Sequence, residues 1–142
     1  MLRFTKRADY GLMAIHYIAI HDEGAVSAKR IAEEFSIPQE LLAKILQKLA
    51  KQGLIVSQNG PKGGYALSRR PGEISVGEVV RALEGPINIV SCLEDASCAQ
   101  IERCSLRRPV TKLQIAITQL LDTMSLAELT TDDVPDILTI KA

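Results

Sequence analysis

Apolar positions in this chain follow helical spacing at first, give way to a short glycine-rich stretch, and then return to helical spacing. Residues 5–21 are apolar on nearly every side beyond Leu12, the pattern of a deeply buried helix, and Gly24 breaks it. Ser27 is placed as the N-cap of a short second helix with Ile31, Ala32 and Phe35 on one face. Ser36-Ile37 predicts a tight turn, and Pro38 suits the first position of a third helix. Leu41, Leu42, Ile45, Leu46 and Leu49 give that helix its buried stripe, and Gly53 ends it. Two β-like segments, 54–58 and 65–68, flank Asn59-Gly60-Pro61-Lys62-Gly63-Gly64, a hairpin loop too long for a two-residue turn. Helix, helix-turn-helix, hairpin is the order of a winged helix-turn-helix domain. The loop is no nucleotide-binding P-loop, because no Gly-Lys-Ser/Thr follows it.

Pro71-Gly72 marks a joint. Ser75-Val76-Gly77-Glu78 reads as a capping box opening a fourth helix, with Val79, Val80 and Leu83 inward and Gly85-Pro86 closing it. A long helix is predicted from Pro109, where Val110, Leu113, Ile117, Leu120 and Met124 form a heptad seam that Leu121 widens. Such a seam either packs on its own domain or takes a partner, and a second copy of the chain is the favoured occupant. The tail with Asp132-Asp133-Val134-Pro135-Asp136 is expected to be loose or lightly docked. The expected fold class is mainly α with a small β-hairpin wing. Residues 1–72 would form the winged helix-turn-helix domain and 73–108 a connecting helix and cysteine loop, followed by a dimerisation helix at 109–130 and a tail at 131–142.

Composition adds little until it is divided. At 142 residues, 46% hydrophobic and 24% charged, the chain suits a folded protein rather than a disordered one. It has no apolar run of membrane-spanning length and no signal-peptide pattern, so no membrane association and a cytoplasmic location are expected. The formal net charge is zero, yet residues 1–70 carry eleven Lys/Arg against six Asp/Glu, and residues 71–142 carry the reverse, six against eleven. A basic first half and an acidic second half suggest that a polyanion meets only the first, although two solvated faces would give the same count.

The second helix of a helix-turn-helix lies in the major groove. Here its outward side offers Gln39, Glu40, Lys44, Gln47, Lys48 and Lys51. Glutamine reads adenine bidentately, glutamate accepts from cytosine, and lysines hold phosphates. Ser27, at a helix start, is a further phosphate contact. At the wing tip, Asn59 and Lys62 would meet the backbone or minor groove, with Gly63 and Gly64 allowing close approach. The partner expected is therefore a double-stranded DNA operator; a protein-interaction module on the same fold is the rival reading.

All three cysteines, Cys92, Cys98 and Cys104, fall within thirteen residues in the spacing C-x5-C-x5-C. Three thiols cannot all pair with one another, and the spacing fits neither a zinc ribbon nor a redox C-x-x-C. A metal or iron–sulfur centre with a fourth ligand from elsewhere fits better. Zinc held by three thiolates and a carboxylate or water, or free thiols acting as a redox switch, are the alternatives. Nothing points to an enzyme or a small-molecule substrate. There is no Ser/His/Asp set, and Glu33-Glu34 reads as a solvated face.

Over about residues 1–130 the chain resembles the Rrf-two family of winged helix-turn-helix transcription regulators, which includes IscR-like and NsrR-like iron–sulfur regulators. The resemblance rests on Thr-Lys-Arg-Ala-Asp-Tyr-Gly-Leu at 5–12, Asn-Gly-Pro-Lys-Gly-Gly-Tyr at 59–65, Ser-Val-Gly-Glu-Val-Val at 75–80, the three cysteines, and Leu-Ala-Glu-Leu at 126–129. It implies a homodimer with crossed long helices, one DNA half-site per winged domain, and a cluster held by Cys92, Cys98 and Cys104. In the IscR-like pattern a histidine three residues after the last cysteine completes a [2Fe–2S] site; here that position is Arg107. In the NsrR-like pattern an aspartate near the start of the first helix reaches the partner's cluster, and Asp9 stands there. A carboxylate is a hard, weakly held ligand for iron. Asp9 also suits its place in a first helical turn without any ligand role. The resemblance tilts towards [4Fe–4S] over [2Fe–2S] and implies a regulator, most simply a repressor, sensing redox, nitric oxide or iron and cluster status.

Overall fold

Thr5, in extended backbone, caps the first helix with its hydroxyl, which accepts from the Ala8 N–H. The structure is a computed structural model that describes residues 2–21, 23–94 and 97–132. Helix α1 spans Lys6–Ile20, and Ala8, Gly11, Ala14, Ile15, Tyr17 and Ile18 are its buried positions. Helix α2, Ala28–Phe35, starts on the Ser27 cap, whose hydroxyl accepts from the Arg30 N–H. Ser36 takes the left-handed conformation at its end, turning the chain so that Ile37 is buried. Helix α3 runs Gln39–Lys51 with Pro38 as its N-cap, one residue earlier than its predicted place as the first helical residue. Proline fits either position, since neither needs a backbone donor.

Strands β1, Ile55–Gln58, and β2, Gly64–Leu67, form an antiparallel hairpin in the register Ile55↔Leu67 and Gln58↔Gly64. A bridge between Val26 and Tyr65, with N–H to carbonyl distances of 2.9 and 2.8 Å, ties the hairpin to the segment before α2. After a short 3-10 turn at Pro71–Glu73, helix α4 spans Val76–Glu84 on the Ser75–Glu78 capping box. Helix α5 spans Arg107–Thr123, starting two residues before the predicted Pro109. In the first turn the missing proline N–H costs nothing, so Pro109 does not limit the start.

One core runs through all of this. Ile15, Ile31, Leu42, Leu46 and Leu49 share it with Ile74, Val79, Leu83 and Leu126, so the core continues across the Pro71-Gly72 turn. After α5 the chain returns to pair beside the start of α4: Val76 N–H donates to the Met124 carbonyl at 2.8 Å, and Leu126 N–H to Ile74 at 2.9 Å. That pairing buries Leu126 completely. Residues 128–130 then dock on α1, where the His16 imidazole donates from Nε2 to the Leu129 carbonyl at 3.0 Å. Of the acidic tail motif, residues 133–136 lie outside the described residues.

One expectation is corrected and a second is refined. Leu41 is 37% exposed, because the buried stripe of α3 is Leu42, Ile45, Leu46 and Leu49, and position 41 falls beside it. The seam of α5 is one face that its own protomer covers unevenly. Ile117 and Leu121 turn towards α4 and the segment after it, whereas Leu113 and Leu120 stand at 56% and 37% exposure. With Leu106 at 63%, they form an exposed row spaced by seven residues.

Candidate nucleic-acid interface and cysteine segment

The outward polar set runs the length of α3. Gln39, Glu40, Lys44, Gln47 and Lys51 are all exposed, and no hydrogen bond or ion pair within the described chain engages their side chains. Lys48 differs: its ammonium donates to the Leu83 carbonyl at 2.9 Å. Leu83 lies in the last turn of α4, where orphan carbonyls favour a cation, so Lys48 spends one of its three N–H donors capping a neighbouring helix. Ser27 is half-buried and its oxygen is used as a cap acceptor, which leaves its hydroxyl hydrogen as the group able to meet a phosphate.

At the wing, Asn59 and Lys62 are exposed at the tip. The two glycines there are required by the fold itself. A Cβ on Gly63 would strike the carbonyl oxygens of Gln58 and Gly60, and one on Gly64 would strike the backbone at Val26. Their small size therefore shapes the hairpin and its bridge to the segment before α2, a cause distinct from the close approach to DNA expected from sequence.

Several other cations of the basic half are occupied. Arg7 pairs with Glu84 at 3.2 Å, and Thr5 donates to the same carboxylate at 2.5 Å, joining the start of α1 to the end of α4. Arg69 pairs with Glu78 at 3.0 Å. Burial alone would raise the Glu78 pKa, but hydrogen bonds from Ser75 and the Arg69 guanidinium hold it below its ordinary 4.5.

The cysteines sit on the segment between α4 and α5. Cys92 lies in a 3-10 turn at Ser91–Leu93 and is half-buried, as is Cys98; Cys104 is exposed three residues before α5 begins. All three are free thiols. Among the described residues no three His, Cys, Asp or Glu side chains converge on one point, so within one protomer Cys92, Cys98 and Cys104 do not form a ligand group, with or without Asp9. Asp9 occupies the first turn of α1 and helps line a shallow pocket with Arg3, Phe4, Thr5 and Lys6. Arg107 is the first, exposed residue of α5, and its carbonyl accepts from Thr111.

One contact beside the cysteine segment had no signal in the sequence. Gln114 of α5 grips the segment leading to Cys92: its Oε1 accepts from the Ile89 N–H at 2.9 Å, and its Nε2 donates to the Ile87 carbonyl and to Thr118 Oγ1.

A helix-turn-helix with an exposed polar first turn, a glycine-shaped wing and a long, partly bare C-terminal helix defines a winged-helix DNA-binding regulator. Residues 4–132 match the model of the Rrf2 family, described as an iron-dependent transcriptional regulator, and the chain belongs to that family. It is 33% identical to the transcriptional regulator IscR of Aliivibrio salmonicida over 133 residues, covering 93% of this chain and 79% of that one. It is equally, 33%, identical to the regulator NsrR of Geobacillus kaustophilus over 134 residues, covering 92% and 91%. The structure of CymR, the global cysteine regulator of Bacillus subtilis, superposes with a TM-score of 0.77 at 31% identity, covering 93% of this chain and all of that one. These relatives are transcription regulators, not enzymes, and no described helix is long and apolar enough to cross a membrane.

Proposed function

We propose that this DNA-binding transcription regulator works as a homodimeric repressor whose operator affinity is set by the chemical state of Cys92, Cys98 and Cys104. One observation carries the reading: three free thiols, graded from half-buried to exposed, lie on the single segment that links α4 to α5. That segment joins the core holding the recognition helix to the helix with the bare leucine row, so a change in it bears on both. The exposed row of Leu106, Leu113 and Leu120 supports α5 as the dimer helix, because an apolar row of this length on one face calls for a partner.

Three soft thiolates on one segment suit an iron–sulfur cluster chemically, and because they do not converge among the described residues the segment would rearrange to hold one. Cys92, Cys98 and Cys104 would hold it, and Asp9 from the partner protomer would complete it, [4Fe–4S] being slightly favoured over [2Fe–2S]. When bound, such a group supplies reactivity towards oxidants, nitric oxide or iron loss. The residues of the chain do the rest. Gln39, Glu40 and Gln47 read base edges, Lys44 and Lys51 hold phosphates, and Asn59 and Lys62 of the wing fix the register. A location in the cytoplasm accords with cysteines kept as free thiols.

A second reading keeps the same sensor without a cluster. The likeness to the cysteine regulator CymR and the accessibility of Cys104 support direct thiol chemistry as the switch. Anaerobic purification followed by visible spectroscopy and iron and sulfide analysis separates the two. Cluster absorbance in the native chain that disappears when each cysteine is replaced by alanine supports the first. A colourless, iron-free protein whose DNA affinity responds to thiol oxidation supports the second. A colourless protein containing one zinc per chain opposes both.

A further inference from the structure

Among the described residues, Gln114 is the one polar side chain of α5 that bonds to the backbone upstream of the cysteines. Its carboxamide meets the segment as a neighbouring strand would, accepting from the Ile89 N–H at 2.9 Å and donating to the Ile87 carbonyl. The second amide hydrogen is taken by Thr118 Oγ1 at 3.1 Å, one turn along the same helix. Only a carboxamide offers an acceptor and two donors in one plane, and its orientation is dictated: turned over, its NH₂ would face the Ile89 N–H, donor against donor. Ile87 and Ile89 also share an apolar cleft with Ile117 and Leu121, so the segment is both hydrogen-bonded and packed onto α5. Cys92 follows Ile89 by three residues, in a turn where the Leu93 N–H donates to the Val90 carbonyl at 3.2 Å.

We propose that Gln114 is the positioning residue that locks the Ile87–Ile89 backbone to α5 and so couples the state of the cysteine segment to that helix. The inference deepens the proposed sensing function and rests on it for its regulatory meaning, though not for its geometry. A change that pulls Cys92 moves a backbone that is bonded to α5 through one side chain. Replacing that side chain uncouples the two while leaving the core of α1, α3 and α4 intact, because Gln114 is no part of it.

The test uses the full chain with Gln114→Met, close in size but without the hydrogen bonds, and Gln114→Glu, which keeps the acceptor for Ile89 and loses the donors. Backbone hydrogen exchange and site-resolved alkylation of the reduced, metal-free chain by N-ethylmaleimide are read by mass spectrometry. In Gln114→Met, the Ile89 amide exchanges and Cys92 alkylates roughly tenfold faster, as loss of two hydrogen bonds requires. Cys104 and the amides of α1 and α3 do not change. In Gln114→Glu the Ile89 amide keeps most of its protection. Unchanged rates at Ile89 and Cys92 in Gln114→Met overturn the proposal. Faster exchange throughout α1 and α3 also overturns it, since that is a general structural role. DNA affinity of the native chain before and after alkylation is measured alongside. No response there defeats the sensing function and leaves the Gln114 contact to be judged by exchange alone.

Discussion

Gly77 of α4 lies directly against Asp122 of α5: a Cβ on Gly77 would run into Asp122 Oδ1, the same oxygen that Arg81 holds at 2.6 Å. The absence of a side chain at Gly77 is what lets the Arg81–Asp122 pair sit across the two helices. Gly77→Ala gains about 1 kcal/mol of helix propensity. It loses about 2 kcal/mol to overpacking and displacement of the pair, for a net cost of about 1 kcal/mol in chemical denaturation. In an Asp122→Ala background the obstruction is gone, and the same substitution becomes neutral or stabilising. Equal costs in both backgrounds would deny the contact.

Glu78 gives a pH signature. Its pKa is lowered on folding, so the unfolded chain binds the proton first as pH falls. Its contribution to stability is therefore full above 4.5, the ordinary value, and is lost as pH falls through the lower folded value. A glutamine in its place would keep the cap but lose the charge on Arg69. Glu78→Gln should cost about 0.5 kcal/mol at neutral pH, the worth of a half-exposed ion pair. In melts of both proteins the gap should narrow as pH falls below 4.5. A gap that stays constant into acid would assign the cost to packing.

Lys44 and Lys48, one turn apart on α3, should behave differently. Lys44→Ala is expected to weaken DNA binding at all sequences and to reduce the salt slope of affinity by about one, the mark of a lost phosphate contact. Lys48→Ala removes the bond to the Leu83 carbonyl and should lower stability by about 1 kcal/mol with a smaller change in that slope. The reverse assignment of the two effects would contradict the geometry.

Leu113 is more than half exposed in the protomer, so Leu113→Glu should leave the melting of the protomer fold little changed. If α5 forms the dimer, the substitution converts a two-chain species to a one-chain species in sedimentation equilibrium. A native chain that sediments as a monomer, or a variant that stays dimeric, would rule out this interface.

Much of the fold was readable because local signals agreed with one another. The Ser27 and Ser75 caps, the Gly53 stop and the glycine-rich loop each mark an element end by a mechanism that acts within four residues. What escaped the sequence depends on distant partners. Leu41 looks like a stripe residue, and only the packing of α3 shows that it is not. Leu126 is buried because the chain folds back beside Ile74, a pairing no periodicity announces. Lys48 resembles its neighbours in composition, yet α4 brings a carbonyl to it. The cysteines were visible as a group by spacing alone. Gln114, which holds the segment before them, looked like any polar position on a helix.

The central claim is that the cysteine segment governs DNA binding. The direct measurement is the equilibrium affinity of the full chain, purified anaerobically, for duplex DNA that it selects from a random-sequence pool. It is compared at fixed salt with the chain in which Cys92, Cys98 and Cys104 are all replaced by alanine. A coupling of the usual size predicts affinities that differ by roughly 5- to 150-fold, with similar binding to unselected DNA. Equal affinity and equal selectivity in the two proteins would contradict the account.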